Sequence, residues 1–228
     1  MQGEKARLEG IDTVLFDFDG TLMDTTPIII RSWQEVYRAV TGSDGDVDEI
    51  LGTFGEILRE SLAKKFPDQD TEELVKIYKS YQQDRFADEV ELFPGVEDLL
   101  AYLKDAGYKL GLVTSRIKQT SMRALDMFGI KEYFDSIITA DDCTKHKPDP
   151  EPIMLALEGC GSVPERAVMI GDTVYDMGCA RNARVRYVMV DWAPAIDRES
   201  LTGENAPDAW IPDMEGMKAI LPEKAAGR

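Results

Sequence analysis

Short apolar runs and longer segments with helical periodicity alternate along most of the chain. The apolar runs are predicted strands, and they lie at residues 11–16, 109–113, 136–139, 167–170 and 186–190. The helical segments lie between them, at residues 96–106, 117–128, 150–159 and 176–183. Gly107, Gly129 and Gly161 stand where glycine commonly ends a helix. This alternation predicts an α/β fold with a mostly parallel, Rossmann-like sheet that is covered by helices on both faces.

The stretch between the first and second predicted strands breaks the alternation. Residues 24–92 contain no convincing strand. Thr25 followed by Thr26 and Pro27 is typical of a helix start, with a capping residue and then proline in the first turn. Helical patterns follow at residues 28–40, 55–66 and 72–87.

These helices are predicted to form a separate cap domain. Phe93-Pro94-Gly95 is the hinge by which the insertion returns to the sheet. We therefore predict a core of residues 1–23 and 93–228 and an all-helical cap of residues 24–92. The insertion leaves and rejoins the core near the end of the first strand, where open α/β sheets bind ligands. A cap there would exclude water and select substrates; the alternative is that these helices only thicken the core.

Composition and charge narrow the possible functions. The chain has 228 residues, of which 43% are hydrophobic and 30% charged, as in ordinary globular proteins. Its formal net charge of -17 argues against binding to nucleic acid and to an anionic membrane surface. A small phosphorylated substrate stays compatible, because a local basic pocket can outweigh the overall field at short range.

Targeting and redox features predict a cytoplasmic protein. No apolar run approaches the roughly 20 residues that cross a bilayer, and no signal peptide is visible at the start. Cys143, Cys160 and Cys179 lack the spacing of a disulfide framework or a metal site, so we predict reduced thiols. Residues 223–228 are predicted to be a frayed tail.

The strongest chemical signal is Asp17-Phe18-Asp19-Gly20-Thr21, at the end of the first predicted strand. Two carboxylates at positions i and i+2 point to the same side of an extended chain, where they can share a divalent cation. Gly20 lets the chain turn sharply and approach a ligand closely. An ordinary acidic β-turn is the alternative, and it is less attractive directly after a buried strand.

A second acidic segment, Gly171 to Asp176, follows another apolar strand. Asp172 lies at the end of that strand, where a buried acid needs a partner. Asp176 is predicted to open the next helix, whose free N–H groups its carboxylate would cap. Capping and support of a metal site are compatible with each other.

Two further segments offer groups that bind phosphate. Thr114 and Ser115 end a predicted strand and can donate hydrogen bonds to phosphate oxygens, and Arg116 adds a cation; the alternative for Ser115 is helix capping. Lys147 lies in a segment that two prolines stiffen, so its ammonium could hold a phosphate and a carboxylate together. A solvated basic loop is the alternative, and His146 is predicted to be a surface or structural residue.

In their order and approximate spacing, these four segments resemble the motifs of the haloacid dehalogenase superfamily. The resemblance covers nearly the whole chain, and Asp17 to Thr21 is its most specific part. The helical insertion is similar to the small α-helical cap of that superfamily. Phe93-Pro94-Gly95-Val96 and the segment from Lys147 to Pro152 resemble the branch that contains phosphoglycolate phosphatases and pyrophosphatases.

The resemblance implies a phosphatase that forms an aspartyl phosphate. Asp17 would be the nucleophile, and Asp19 would protonate the leaving oxygen and then deprotonate water. Thr114 and Lys147 would complete the catalytic group. The residues expected to bind substrate are Gly20, Thr21, Ser115 and Arg116.

The resemblance also implies Mg²⁺ as the cofactor. The ion would bind a carboxylate oxygen of Asp17, the backbone carbonyl of Asp19 and a carboxylate oxygen of Asp172. Asp176 would orient the surroundings of the metal. A small phosphorylated metabolite is the expected partner, and the sequence is compatible with a monomer or a dimer.

Several alternatives stay open. Dehalogenase activity is disfavoured because Asp19 supplies an acid and base that phosphate-ester chemistry needs. A receiver domain would lack the paired-aspartate turn and the insertion. An inactive binding protein on the same fold would be expected to have lost at least one of four site residues, and this sequence has all of them: Asp17, Asp19, Lys147 and Asp172. A sugar phosphate mutase is a closer alternative. Phosphoglycolate, pyrophosphate and small sugar phosphates are all candidate substrates, and the cap loop at residues 52–56 is expected to reach the site.

Overall fold

The computed structural model describes residues 8–194 and 196–221 and contains a parallel sheet. Its strands are β1 (Thr13–Phe16), β4 (Lys109–Val113), β5 (Ser136–Ile138), β6 (Ala167–Gly171), β7 (Arg186–Val190) and β8 (Ala209–Ile211). They lie in the order β5-β4-β1-β6-β7-β8, and every neighbouring pair is parallel. The predicted α/β fold is confirmed, and all five predicted strands are present. The predicted frayed tail at residues 223–228 lies outside the described residues.

Helices cover both faces of this sheet and build the insertion. The core helices are α5 (Val96–Asp105), α6 (Lys118–Phe128), α7 (Glu151–Cys160), α8 (Val174–Asn182) and α9 (Glu215–Ile220). The helices of the insertion are α1 (Thr26–Thr41), α2 (Val47–Leu51), α3 (Leu58–Lys65) and α4 (Thr71–Glu89). Gly129 and Gly161 end α6 and α7 with φ of 68° and 59°, as the sequence predicts. Among the described residues, no helix combines the length and apolarity that crossing a membrane requires.

The central strands are buried on both faces, which explains their continuous apolar sequences. Val14 and Phe16 of β1 belong to one apolar cluster, whereas Leu15 belongs to the cluster on the opposite face. The same alternation continues in β6, where Ile170 and Met169 face opposite clusters. Because helices cover both faces of the sheet, polar groups that follow the strand ends lie in a confined space at one edge of the sheet.

The insertion has an apolar cluster of its own. Helix α1 packs along α4, and this cluster forms between them and the shorter helices. Trp33 contacts Tyr78 edge-on at a ring-centroid distance of 6.2 Å, and Tyr37 contacts Phe66 in the same way at 5.1 Å. A separate cluster is what a cap domain needs in order to keep its shape. It supports our proposal that residues 24–92 form a cap on a core of residues 1–23 and 93–228.

Two very short strands join the insertion to the core. Strand β2 (Met23–Asp24) pairs antiparallel with β3 (Glu91–Leu92), in the register Met23 to Leu92 and Asp24 to Glu91. The prediction that residues 24–92 contain no strand is therefore wrong at both ends. Two-residue strands are too short to show an alternating pattern. The sequence analysis also missed β8.

Candidate active site

Three neighbouring strands bring polar residues to one end of the sheet. Asp17 follows β1, Thr114 follows β4 and Asp172 follows β6, and β1 lies between β4 and β6. Because the strands are parallel, the residues that follow them meet at the same edge. All three side chains are buried and line one cavity. The structure therefore brings together three residues that are separated by long stretches of sequence.

The Lys147 ammonium links three elements beneath that cavity. It donates to a carboxylate oxygen of Asp17 at 2.6 Å, to one of Asp176 at 2.6 Å and to the carbonyl oxygen of Val113 at 2.7 Å. An ammonium has three N–H donors, and here each of them has an acceptor. Lys147 is buried and does not line the cavity, so in this arrangement it orients Asp17 and has no donor left for a phosphate.

Gly20 and Thr21 pack against Asp172. Gly20 has a φ of +77°, and a β-carbon there would lie 2.2 Å from an oxygen of Asp172, so only glycine fits. The Thr21 hydroxyl donates to the other Asp172 oxygen at 3.2 Å. Thr21 is fully buried and does not line the cavity, so its side chain contacts Asp172 instead of the space expected for a substrate. Gly20 does line the cavity.

Asp176 has a different place from the one predicted. Helix α8 begins at Val174 after the capping residue Thr173, so the prediction that Asp176 opens the helix is wrong by two residues. Asp176 instead accepts from the Thr173 backbone N–H at 3.1 Å and from its hydroxyl at 2.5 Å, as the acidic partner in a capping box. Its other oxygen accepts from Lys147. Protein donors thus engage both oxygens of Asp176.

The buried charges do not balance. Asp17, Asp172 and Asp176 each place a carboxylate oxygen within 4.8 Å of the other two, and Lys147 neutralises only part of this charge. Burial raises the pKa of Asp17 to about 7, and repulsion from Asp176 adds to it, although attraction to Lys147 acts in the opposite direction. Burial and then repulsion from Asp17 and Asp176 raise the pKa of Asp172 well above its ordinary value. Burial acts to lower the pKa of Lys147, but its two carboxylate partners outweigh burial and raise it.

This excess of negative charge fits a divalent cation. The available ligands are oxygen atoms, which Mg²⁺ prefers in proteins. Asp17 and Asp172 each have an oxygen that is not engaged by Lys147 or Thr21, whereas both oxygens of Asp176 have donors. The donor set therefore suits direct binding by Asp17 and Asp172, with Asp176 in a supporting position.

The Asp19 side chain is turned away from this cluster and toward Arg116. The guanidinium donates to a carboxylate oxygen of Asp19 at 2.7 Å and lies over the ring of Phe86, 5.0 Å from its centroid. Asp19 and Arg116 both line the cavity. The sequence showed that each residue was near the site, but it gave no sign that they pair or that Phe86 of the cap supports Arg116.

The loop at residues 52–56 reaches the core, as the sequence analysis expected. Ser115 donates to the carbonyl oxygen of Gly55 at 3.2 Å, and the Tyr175 hydroxyl donates to Glu56 at 2.8 Å. Ser115 therefore does not cap the following helix, whose capping position is Ile117. These two hydrogen bonds join the loop at residues 52–56 to the segments that follow β4 and β6.

The cavity extends from the carboxylates into the cap and has a volume of about 430 Å³. Its cap walls were not predicted, because an apolar side chain that lines a cavity looks like a core residue in the sequence. The main lining residues that the sequence analysis missed are Ile29, Trp33, Phe54, Val75, Tyr78 and Gln82. His146, which was predicted to be a surface or structural residue, also lines the cavity.

Comparison with known proteins identifies the family. The model of haloacid dehalogenase-like hydrolases matches residues 14–190, which include every site segment described above. The chain belongs to this family of hydrolases. It is 34% identical to the pyrophosphatase PpaX of Bacillus pumilus over 211 residues, which are 92% of this chain and 96% of that protein. It is 32% identical to the PpaX of Halalkalibacterium halodurans over 215 residues, which are 94% and 99% of the two proteins.

Solved structures share the fold over most of the chain. A hydrolase of this family from Streptococcus pneumoniae superimposes with a TM-score of 0.79 and 27% identity, covering 92% of this chain and 98% of the other. CbbY from Rhodobacter sphaeroides, solved in complex with phosphate, superimposes with a TM-score of 0.76; at 24% identity it shows likeness of fold alone. The predicted superfamily is confirmed, and the protein is an enzyme.

Proposed function

We propose that this hydrolase is a magnesium-dependent phosphatase that acts on small phosphate monoesters, with Asp17 as the covalent nucleophile. The observation that carries the proposal is the position of Asp17. Its carboxylate is held by Lys147 at the base of a cavity that Asp19 also lines. A fixed carboxylate beside a second, partly exposed carboxylate is the arrangement that a nucleophile and its acid and base partner require.

Two steps complete the reaction. An Asp17 oxygen attacks phosphorus, the bond from phosphorus to the leaving oxygen breaks, and Asp19 gives its proton to that oxygen. Water then attacks the aspartyl phosphate and loses a proton to Asp19, and the bond from phosphorus to the Asp17 oxygen breaks. The products are an alcohol and inorganic phosphate, and both carboxyl groups return to their starting forms.

The other site residues hold these groups in place. Lys147 keeps Asp17 oriented, and Thr114 lines the cavity where its hydroxyl can donate to a phosphoryl oxygen. Asp17 and Asp172 would hold Mg²⁺ together with the Asp19 backbone carbonyl. When bound, the ion would offset the carboxylates and stabilise negative charge on the phosphoryl group.

Inorganic pyrophosphate is a second candidate substrate. It is favoured by the PpaX relatives, which are named as pyrophosphatases. The same two steps would apply, with phosphate as the leaving group. We also propose a cytoplasmic location, which the absence of disulfides among Cys143, Cys160 and Cys179 supports.

The test is phosphate release by the purified protein from phosphoglycolate, small sugar phosphates and pyrophosphate, in Mg²⁺ and in chelator. We expect release that needs Mg²⁺ and a phosphorylated Asp17 peptide after rapid acid quenching. Phosphate release separates a hydrolase from a mutase, which would retain the phosphoryl group on sugar. Release without any phosphorylated Asp17, or no release from any substrate, would contradict the proposal.

A further inference from the structure

Apolar and aromatic side chains form much of the cavity wall inside the cap. They are Ile29 and Trp33 of α1, Phe54 of the cap loop, and Val75 and Tyr78 of α4, and polar side chains lie beside them. The cavity runs without interruption from these side chains to Asp17 and Asp19. Anything bound to a phosphoryl group at Asp17 would therefore extend into apolar surroundings.

Two buried polar atoms, on residues that line this cavity, have no hydrogen-bond partner among the described residues. They are the hydroxyl oxygen of Thr25 and the Nε atom of Arg116, and both residues line the cavity. Thr25 is 1% exposed, and it precedes α1 without capping it, although the sequence predicts a cap there. An unpaired buried polar group costs free energy, so a bound molecule that accepts hydrogen bonds would relieve this cost. Both groups can donate.

The charges around the cavity disfavour a second anionic group on the substrate. Outside the four aspartates of the phosphoryl site, three carboxylates and three Lys or Arg side chains line it, which leaves no excess of positive charge for a second anion. Arg116 is already paired with Asp19, and Arg59 is paired with Glu72. The remaining cation is Lys79, which is exposed. Phosphoglycolate and pyrophosphate both carry a second anionic group, which would enter surroundings where the charge of Arg116 is already balanced by Asp19.

We propose that the preferred substrate is a phosphate monoester of an uncharged alcohol that has an apolar body and one oxygen acceptor. The apolar body packs against Ile29, Phe54 and Val75, and the acceptor receives hydrogen bonds from Thr25 and Arg116. Apolar walls with a few converging polar groups are the usual composition of a small-molecule site. This inference rests on the proposed phosphatase function and adds the class of the leaving group.

The substrate test compares esters that differ in one property at a time. The panel contains 4-methoxybenzyl phosphate, 4-carboxybenzyl phosphate, benzyl phosphate, phosphoglycolate and pyrophosphate. We expect kcat/KM for the methoxybenzyl ester to exceed that for its carboxylate analogue, phosphoglycolate and pyrophosphate by about tenfold or more. A preference of similar size for any anionic member would overturn the inference and leave the phosphatase function intact. Phosphate release from no member would contradict the phosphatase function itself.

Two variants test the cavity walls without touching the catalytic carboxylates. Val75→Trp should reduce kcat/KM for the benzyl esters about tenfold and reduce the value for pyrophosphate several-fold less. The matched control is Val47→Trp, because Val47 is an exposed cap residue outside the cavity lining. Equal losses for all substrates, or equal losses in both variants, would contradict the proposed position of the apolar body.

Thr25→Val tests the acceptor. It should reduce kcat/KM about fivefold for the methoxybenzyl ester and leave benzyl phosphate, which lacks the acceptor, unaffected. Its melting temperature should equal or exceed that of the wild type, because a buried unpaired hydroxyl is removed. The binding affinity of Asp17→Asn for each ester, measured by calorimetry, gives the same ranking without turnover. A loss for benzyl phosphate equal to that for the methoxybenzyl ester would overturn the role of Thr25.

Discussion

The two sides of this active site differ in how completely their polar groups are paired. On the core side, Lys147 uses all three of its donors, and Asp176 uses both of its oxygens. On the side that faces the cap, Thr25 of the cap and Arg116 of the core keep buried donors that are unpaired among the described residues. The difference is consistent with our proposals that the core side positions the reacting groups and that the side facing the cap receives the leaving group of a substrate.

The largest effect should come from the nucleophile. Asp17→Asn should reduce kcat by about 10⁴-fold or more, because an amide cannot attack phosphorus. Asp19→Asn should reduce kcat by roughly 10²- to 10⁴-fold for an alkyl phosphate and less for p-nitrophenyl phosphate, whose leaving group needs no proton. Steady-state kinetics with both substrates measure this, and circular dichroism checks the fold. Substantial activity in Asp17→Asn would exclude the covalent route.

Substitution of Lys147 and substitution of Arg116 should have different effects on stability and kinetics, although each side chain pairs with a site aspartate. Lys147→Ala leaves Asp17 and Asp176 buried without their cation, so it should cost about 3–5 kcal/mol of stability and lower turnover with every substrate. Arg116→Ala should change KM by different amounts for different substrates, because Arg116 lines the cavity that holds the leaving group. Chemical denaturation and kinetics across the ester panel distinguish the two. Equal, substrate-independent losses of turnover in both variants would contradict this assignment.

Removal of the metal should lower the stability of the fold, because the carboxylates on the core side then repel one another. Saturation with Mg²⁺ should stabilise the fold by about 2.7 kcal/mol when the free ion is about 100 times its dissociation constant. Asp172→Asn should weaken Mg²⁺ binding but raise the melting temperature of the metal-free protein, because it removes one of three converging carboxylates. Thermal unfolding of both proteins in chelator and in Mg²⁺ tests this. The carboxylate cluster is wrong if chelator leaves the wild type unchanged and the variant melts lower without metal.

The metal-free protein should also become less stable as the pH rises through the neutral range. Burial raises the pKa of Asp17 from 3.8 to about 7, so between these values the folded chain binds more protons than the unfolded chain. The stability that this proton contributes is present below the unfolded pKa and is lost as the pH approaches about 7. Melting temperatures in chelator at about pH 5 and pH 8 should show the fall. A fall of the same size in Asp17→Asn would assign it to other groups.

The smallest effect concerns the contact between cap and core. Tyr175→Phe removes the hydrogen bond to Glu56, which should cost about 1 kcal/mol and raise KM a few-fold with little change in kcat. Tyr133→Phe is a matched control, because Tyr133 lies on the core between α6 and β5 and outside the cavity lining. A fall in kcat equal to the rise in KM would indicate a chemical role for Tyr175.

The sequence predicted the core side of the site better than the cap side. Asp17, Thr114 and Asp172 follow apolar strands, and parallel strands place such residues at one edge whatever the details of packing. The partners of Arg116 and the unpaired hydroxyl of Thr25 depend on how the cap rests on the core, which no local pattern encodes. The predicted place of Asp176 was wrong. A simple helix cap and the acidic partner of a capping box both lie near the first turn, so the sequence does not distinguish them.

The ladder between β2 and β3 has a consequence for how such enzymes diversify. The chain leaves the core at Met23 and Asp24 and returns at Glu91 and Leu92, so the two crossings lie side by side, about 5 Å apart. An insertion whose ends are neighbours can be replaced by another of different length without disturbing the host sheet. We therefore expect that exchanging the segment between these positions, with one crossover at each end, changes the choice of leaving group and leaves the reaction at the core unchanged.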